Sequence, residues 1–214
     1  MNDIVAFSLS LVGLFFLIFN TILFFTKKKV RIKTKKTFLW YLFSLCIIEI
    51  TCHVIGFLSF GNNFFISHFY FYFQLIFISL LYKDLIPNPI IKKTILIVLV
   101  LQTLILAGMY FKNPNSFWEF NVYEIISISL ILIGYALYYI FSNLSTEHNY
   151  FNFSIGLVLY LACSITIFSS GNLELVLCKD PYIDIWIFNI LFFFIFQVFI
   201  LKEFLFLQSK NNFG

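Results

Sequence analysis

Seven stretches of this chain are each apolar and long enough to cross a bilayer, and little sequence is left between them. A helix needs roughly 20 mostly apolar residues to span the hydrocarbon layer. Runs that meet this requirement are 4–25, 38–60, 64–82, 90–111, 120–141, 151–170 and 182–206. Short breaker segments separate them: Gly61-Asn62-Asn63, Pro87-Asn88-Pro89, Lys112-Asn113-Pro114-Asn115 and Lys179-Asp180-Pro181. Connections of this length leave no room for a soluble domain. With 61% hydrophobic and 11% charged residues, the expected fold is an all-α integral membrane protein. Residues 1–214 read as a single membrane domain, a bundle of seven transmembrane helices.

Charge placement orients the bundle. The cluster Lys27, Lys28, Lys29, Arg31, Lys33, Lys35 and Lys36 follows the first apolar run. A cleavable secretory signal carries its charge in front of that run, so the first span is expected to stay in place. The positive-inside rule puts the cluster in the cytoplasm, with the N-terminus outside and the C-terminus cytoplasmic. Lys83, Lys92, Lys93, Lys202 and Lys210 then fall on the same inner side, against Lys112 and Lys179 outside. The net charge of +4 therefore reports topology and contact with anionic headgroups, and not nucleic-acid binding. The expected location is the inner (cytoplasmic) membrane of a bacterium.

The abundant Phe (32) and Tyr (12) read mostly as lipid-facing filler rather than an aromatic ligand cage. Cys46, Cys52 and Cys163 lie within spans and Cys178 stands in the last outer loop; none has CxxC spacing, so structural thiols are expected. Tyr82-Lys83-Asp84 echoes Leu201-Lys202-Glu203 at the inner ends of the third and seventh spans, a short hint of a parallel duplication.

Ionisable side chains inside a bilayer are costly, and each marks a candidate functional position. Those at span ends reach water or headgroups and are set aside. Glu49 remains, near the middle of the second span, with His53 four residues later on the same helical face, about 6 Å along the axis. His68 enters the third span, followed by Tyr70, Tyr72 and Gln74, and Glu124 lies about one turn into the fifth. The sixth span offers Tyr160, Cys163, Ser164 and Thr166, and the seventh offers Asp184, Trp186 and Asn189. Nearly all fall in the outer half, which reads as an outward-facing pocket or a buried hydrogen-bonded network. Ser164, Thr166 and Cys163 suit packing between helices better than ligand binding.

These residues rank the available chemistries. Retinal needs a mid-span lysine in the last helix, whereas Lys202 lies at its boundary. A metal centre would have to draw on Glu49, His53 and His68 without an HExxH motif, so neither metal nor another cofactor is expected. Transporters of this size favour Gly or Pro breaks in mid-span, and here the prolines sit in loops. Two readings are left: a sensor or receptor-like bundle, and a membrane-embedded lipid hydrolase using Glu49 or Glu124 with a histidine.

The same residues carry a resemblance over nearly the whole chain. With Glu49, Asn62, His68, Tyr70, Leu80-Leu81-Tyr82, Glu124, Phe151, Gly156, Tyr160 and Trp186, the chain resembles a family of small, uncharacterised seven-span membrane proteins common in the Bacteroidota. Gln74 stands where that family tends to have an acid, and Asn189 where a histidine is frequent. The resemblance implies a two-component sensor kinase as signalling partner. A second likeness, to lysoplasmalogenase-type hydrolases, rests on Glu49 and Ser67-His68-Phe69-Tyr70 and supports the enzyme alternative. The expected function is sensing of a small or lipidic ligand by Glu49, His53, His68, Tyr70, Gln74, Glu124, Tyr160, Trp186 and Asn189, relayed to a cytoplasmic-side partner.

Overall fold

A computed structural model describes residues 2–58, 65–119, 121–144, 148–177 and 186–209, and among them every regular element is helical. The helices are α1 (Asn2–Thr26), α2 (Lys28–Lys33), α3 (Lys36–Leu58), α4 (Phe65–Leu85), α5 (Pro89–Lys112), α6 (Val122–Ser142), α7 (Phe151–Leu177) and α8 (Trp186–Ser209). One 3-10 helix, η1 (Pro114–Trp118), joins α5 to α6. Seven of the helices are long and apolar enough to cross a membrane, as the apolar runs predict. The basic stretch after the first span forms a short helix of its own, α2, and helix α7 runs beyond its span, Phe151–Ser170, to Leu177. Gly61-Asn62-Asn63, Cys178, Lys179-Asp180-Pro181, Asp184, Lys210 and the side chains of Lys29, Lys33 and Trp186 lie outside the described residues.

The helices group into two compact units. Unit 2 is continuous, 34–135, and holds α3, α4, α5, η1 and most of α6. Local chemistry explains where its helices start and stop. The Asn88 side chain accepts the Ile90 N–H at 2.9 Å, and Pro89 follows at the first helical position, where its missing N–H is harmless. At the far end the Asn113 N–H bonds the Met109 carbonyl at 3.0 Å, and Pro114 then opens η1. The start of α4, the end of α5 and the start of α6 meet, so the unit has two distinct ends. Lys83, Lys92 and Lys93 mark one, and η1, with the starts of α4 and α6, marks the other.

Unit 1 is discontinuous: 1–33 together with 136–214. Its centre is α8, which packs against α1, α2 and α7. Asn20 of α1, fully buried, donates to the Gln197 carbonyl at 2.9 Å and to its Oε1 at 3.1 Å. Aromatic edges fill the surrounding space, with Phe24 against Phe204 at 5.3 Å and Phe16 against Phe194 at 4.8 Å. Where α7 begins, Tyr150 has a left-handed φ of 71°, a conformation a bulky residue adopts only when its surroundings impose it. Glu203 of α8 imposes it here. Its carboxylate accepts the Tyr150 N–H at 2.5 Å and the Phe153 N–H at 3.4 Å, capping α7 from another helix.

Helices α7 and α8 approach closely because Gly156 has no side chain. A Cβ there would overlap the Cβ of Phe199, an atom fixed to the α8 backbone. Gly156→Ala is therefore expected to push the two helices apart and to lower stability by about 1–3 kcal/mol, the range for overpacked sites. Denaturant unfolding in detergent micelles checks this, with Gly134→Ala as a control, since nothing stands within 4 Å of a Cβ built at 134.

Candidate functional site

The densest polar cluster among the described residues lies at the η1 end of unit 2. It is built from His68 in the first turn of α4, Tyr110 in the last turn of α5 and Glu124 in the first turn of α6. Asn121 assembles it from one position. Its Oδ1 accepts the Glu124 N–H at 3.2 Å, the N-cap arrangement that starts α6, while its Nδ2 reaches the Tyr110 hydroxyl at 3.3 Å. An acid in the first helical turn also suits the positive end of the helix dipole.

Hydrogen-bond logic fixes most of the protons. His68 Nε2 lies 3.0 Å from the Phe117 carbonyl, which only accepts, so Nε2 carries a hydrogen. His68 Nδ1 lies 2.6 Å from Glu124 Oε2. Either an imidazolium donates to a carboxylate or a carboxyl donates to a neutral imidazole. In both cases one proton lies between the two groups and the pair as a whole is uncharged. The Tyr110 hydroxyl donates to the same Oε2 and lies 2.9 Å from Nδ1, completing a three-residue junction. A second tie runs alongside, from Gln102 of α5 to Ser127 of α6 at 2.8 Å, and from Ser127 to the Glu124 carbonyl at 3.1 Å.

Aromatic rings close the site to solvent. Phe117 of η1 stacks on the His68 ring at 5.2 Å and 30°, and Tyr110 meets that ring edge-on at 5.2 Å. Trp118 and Phe69 pack edge-on against Phe117 in turn. His68 is 5% exposed and Glu124 2%. At that depth an unpaired carboxylate would be expensive, and the shared proton removes most of the cost.

The other expected residues fall into separate settings. Glu49 and His53 pair with each other on α3. His53 Nδ1 donates to the Glu49 carbonyl oxygen at 2.8 Å and lies 3.9 Å from its carboxylate, both side chains being partly buried. Tyr70 is buried edge-on against Phe71. Gln74 is 1% exposed, and among the described residues neither of its amide atoms has a hydrogen-bond partner, a costly state for a buried polar group. Tyr160 and Asn189 belong to unit 1. There Tyr160 stacks on Phe196 at 5.3 Å, and Asn189 accepts from Ser164 at 2.8 Å. Among the described residues no group of three His, Cys, Asp or Glu could hold a metal ion.

Sequence reasoning missed Tyr110 in this site and several buried polar residues elsewhere. Tyr110 was indistinguishable from an interface tyrosine, although Asn113 and Asn121 nearby mark a polar corner that could have singled it out. Asn20, Gln102 and Gln197 stand in apolar runs and carried the same signal as Gln74. Glu203 was set aside as a span-end acid that reaches water. That expectation is corrected by its 0% exposure, because the amides of α7 supply the partners water would otherwise provide.

The junction predicts an order of losses. Tyr110→Phe removes one donor and leaves the shared proton in place, for a loss near 1 kcal/mol. Glu124→Ala leaves His68 buried without its partner and is expected to destabilise more, about 3–5 kcal/mol. Equal losses in unfolding titrations of the two variants would show that the pair contributes nothing beyond the Tyr110 bond.

No family model, curated protein or solved structure matches the chain, so the chemistry of this junction is what a functional reading has to start from.

Proposed function

We propose that the protein is a membrane sensor, receptor-like in design, which binds a small or lipidic ligand in the outer half of the bilayer and signals to a cytoplasmic-side partner. The observation that carries this reading is the closed His68–Tyr110–Glu124 junction, which ties three helices and η1 together at one end of unit 2. A ligand offering its own donor or acceptor to Glu124 or Tyr110 competes with those bonds and frees the helix ends. That gives the ligand different affinities for two arrangements, the requirement for any switch. Glu49, His53, Tyr70 and Gln74, which lie in separate settings of the same unit, are assigned to the ligand as part of this proposal. Gln74 would offer it two amide atoms that have no hydrogen-bond partner among the described residues.

By the positive-inside rule the end carrying Lys83, Lys92 and Lys93 is cytoplasmic and the junction faces outward. A bacterial inner membrane and a two-component sensor kinase as partner complete the proposal. The lipid-hydrolase alternative requires a histidine nitrogen directed at a nucleophile or water. In His68 the nitrogen that Glu124 leaves over is bonded to the Phe117 carbonyl, which favours the sensor.

Two measurements test the reading. Reporter fusions at residues 1 and 214 are expected to place the N-terminus outside and the C-terminus inside. A panel of phospholipids, lysophospholipids and ether lipids is expected to yield no product by mass spectrometry, while at least one member raises the unfolding temperature. That rise should shrink in Glu124→Gln. Product release by the wild type, lost in Glu49→Gln or Glu124→Gln, would make the protein a hydrolase.

A further inference from the structure

Helices α4 and α6 start side by side at the η1 end, where His68 meets Glu124 at 2.6 Å, and both run toward the end marked by Lys83. Eleven residues make about three turns of an α-helix, so positions eleven apart return to one face about 16 Å along the axis. Eleven residues beyond His68 stands Ser79, and eleven beyond Glu124 stands Tyr135. Helices that begin in register at the junction therefore bring this second pair to one level of the same seam. A ring contact keeps the helices together there as well. Tyr82, three residues past Ser79, meets Tyr135 edge-on with 6.5 Å between ring centroids.

The hydroxyl oxygens of Ser79 and Tyr135 are both buried, and neither has a hydrogen-bond partner among the described residues. Helical Ser and Thr elsewhere in the chain return their hydroxyls to a carbonyl three or four residues back, as Thr103, Ser127 and Ser154 do at 2.8, 3.1 and 2.8 Å. Ser79, at 0% exposure, does not make that bond. Lipid offers neither donor nor acceptor, so two bare hydroxyls at this depth would each carry a desolvation cost. A hydroxyl both donates and accepts, and the small molecule that answers two such groups at once is water. Between this level and the junction the same faces carry Leu75 and Ile128, both apolar and fully buried, so the two polar levels are distinct. We infer that α4 and α6 hold ordered water between Ser79 Oγ and Tyr135 Oη, a second polar tie on the seam that the junction begins. The inference does not depend on the sensing role.

A double-mutant cycle on the full chain in detergent micelles tests the tie. Ser79→Ala and Tyr135→Phe each delete one hydroxyl and leave the packed volume almost unchanged. Each is expected to raise the unfolding equilibrium constant about fivefold, the worth of one ordinary hydrogen bond. The double variant should match a single one, because the first loss already releases the shared water. X-ray footprinting reads the water itself. Radicals formed from it should oxidise Tyr135 in the wild type, and Ser79→Ala should lower that yield severalfold while the exposed Tyr123 is labelled as before. A single variant more stable than the wild type would reveal a bare hydroxyl, and effects that multiply in the double variant would reveal two unconnected ones. Coupling without labelling of Tyr135 would make the tie a direct bond, and labelling that ignores Ser79→Ala would come from elsewhere. Each of these four results overturns the inference.

Discussion

Within hydrocarbon, a polar group can find satisfaction only in other parts of the protein, and this requirement organises both units. Helices meet it for the backbone. For side chains it turns each buried polar residue into a tether between helices. His68, Tyr110 and Glu124 bind α4, α5 and α6 at one end of unit 2, and Asn20 with Gln197 binds α1 to α8 in unit 1. The protonation of the first group follows from the same rule. A carboxyl and an imidazole that share one proton are together neutral, and a neutral assembly can stay where a separate charge could not.

The tethers operate within a surface that is otherwise apolar on most faces. Helix α5 presents Ile97, Leu101, Leu104 and Ile105 outward, and α3 presents Phe43, Ile47, Ile50 and Val54, as expected for residues that face lipid. Specific packing is concentrated where small residues or rings allow close approach. Gly156 lets α7 pack directly onto the Phe199 side chain, and the rings of Phe117, Tyr110 and His68 interlock at the junction.

The spans could be read from sequence because a bilayer demands length and apolarity, and 20 consecutive residues either satisfy that demand or do not. Rotation was not legible. These helices are apolar nearly all round, so no stripe reveals which face turns inward, and the pairing of His68 with Glu124 rather than with His53 or Glu49 depends on rotation. His68 and Glu124 themselves were legible because an ionisable residue in an apolar run has no bland explanation. Tyr110 was not, since tyrosine also belongs at interfaces. Glu203 failed for a different reason. Its position predicted water as partner, and only the start of another helix, about fifty positions earlier in the chain, reveals otherwise.

The discontinuity of unit 1 bears on how the chain enters its membrane. Unit 2 is complete once residue 135 has been synthesised, whereas unit 1 holds its first helix in waiting until its last one arrives. Asn20 crosses the bilayer early, and Gln197 follows 177 residues later. Over that interval the amide must be screened by something other than its final partner: lipid headgroups, the insertion machinery or a neighbouring helix. The amides at the start of α7 likewise acquire their Glu203 cap only with α8. Losing the last helix during biogenesis would therefore leave two sets of polar groups without their partners, Asn20 in α1 and the amides at the start of α7, and each is a signal on which quality control could act.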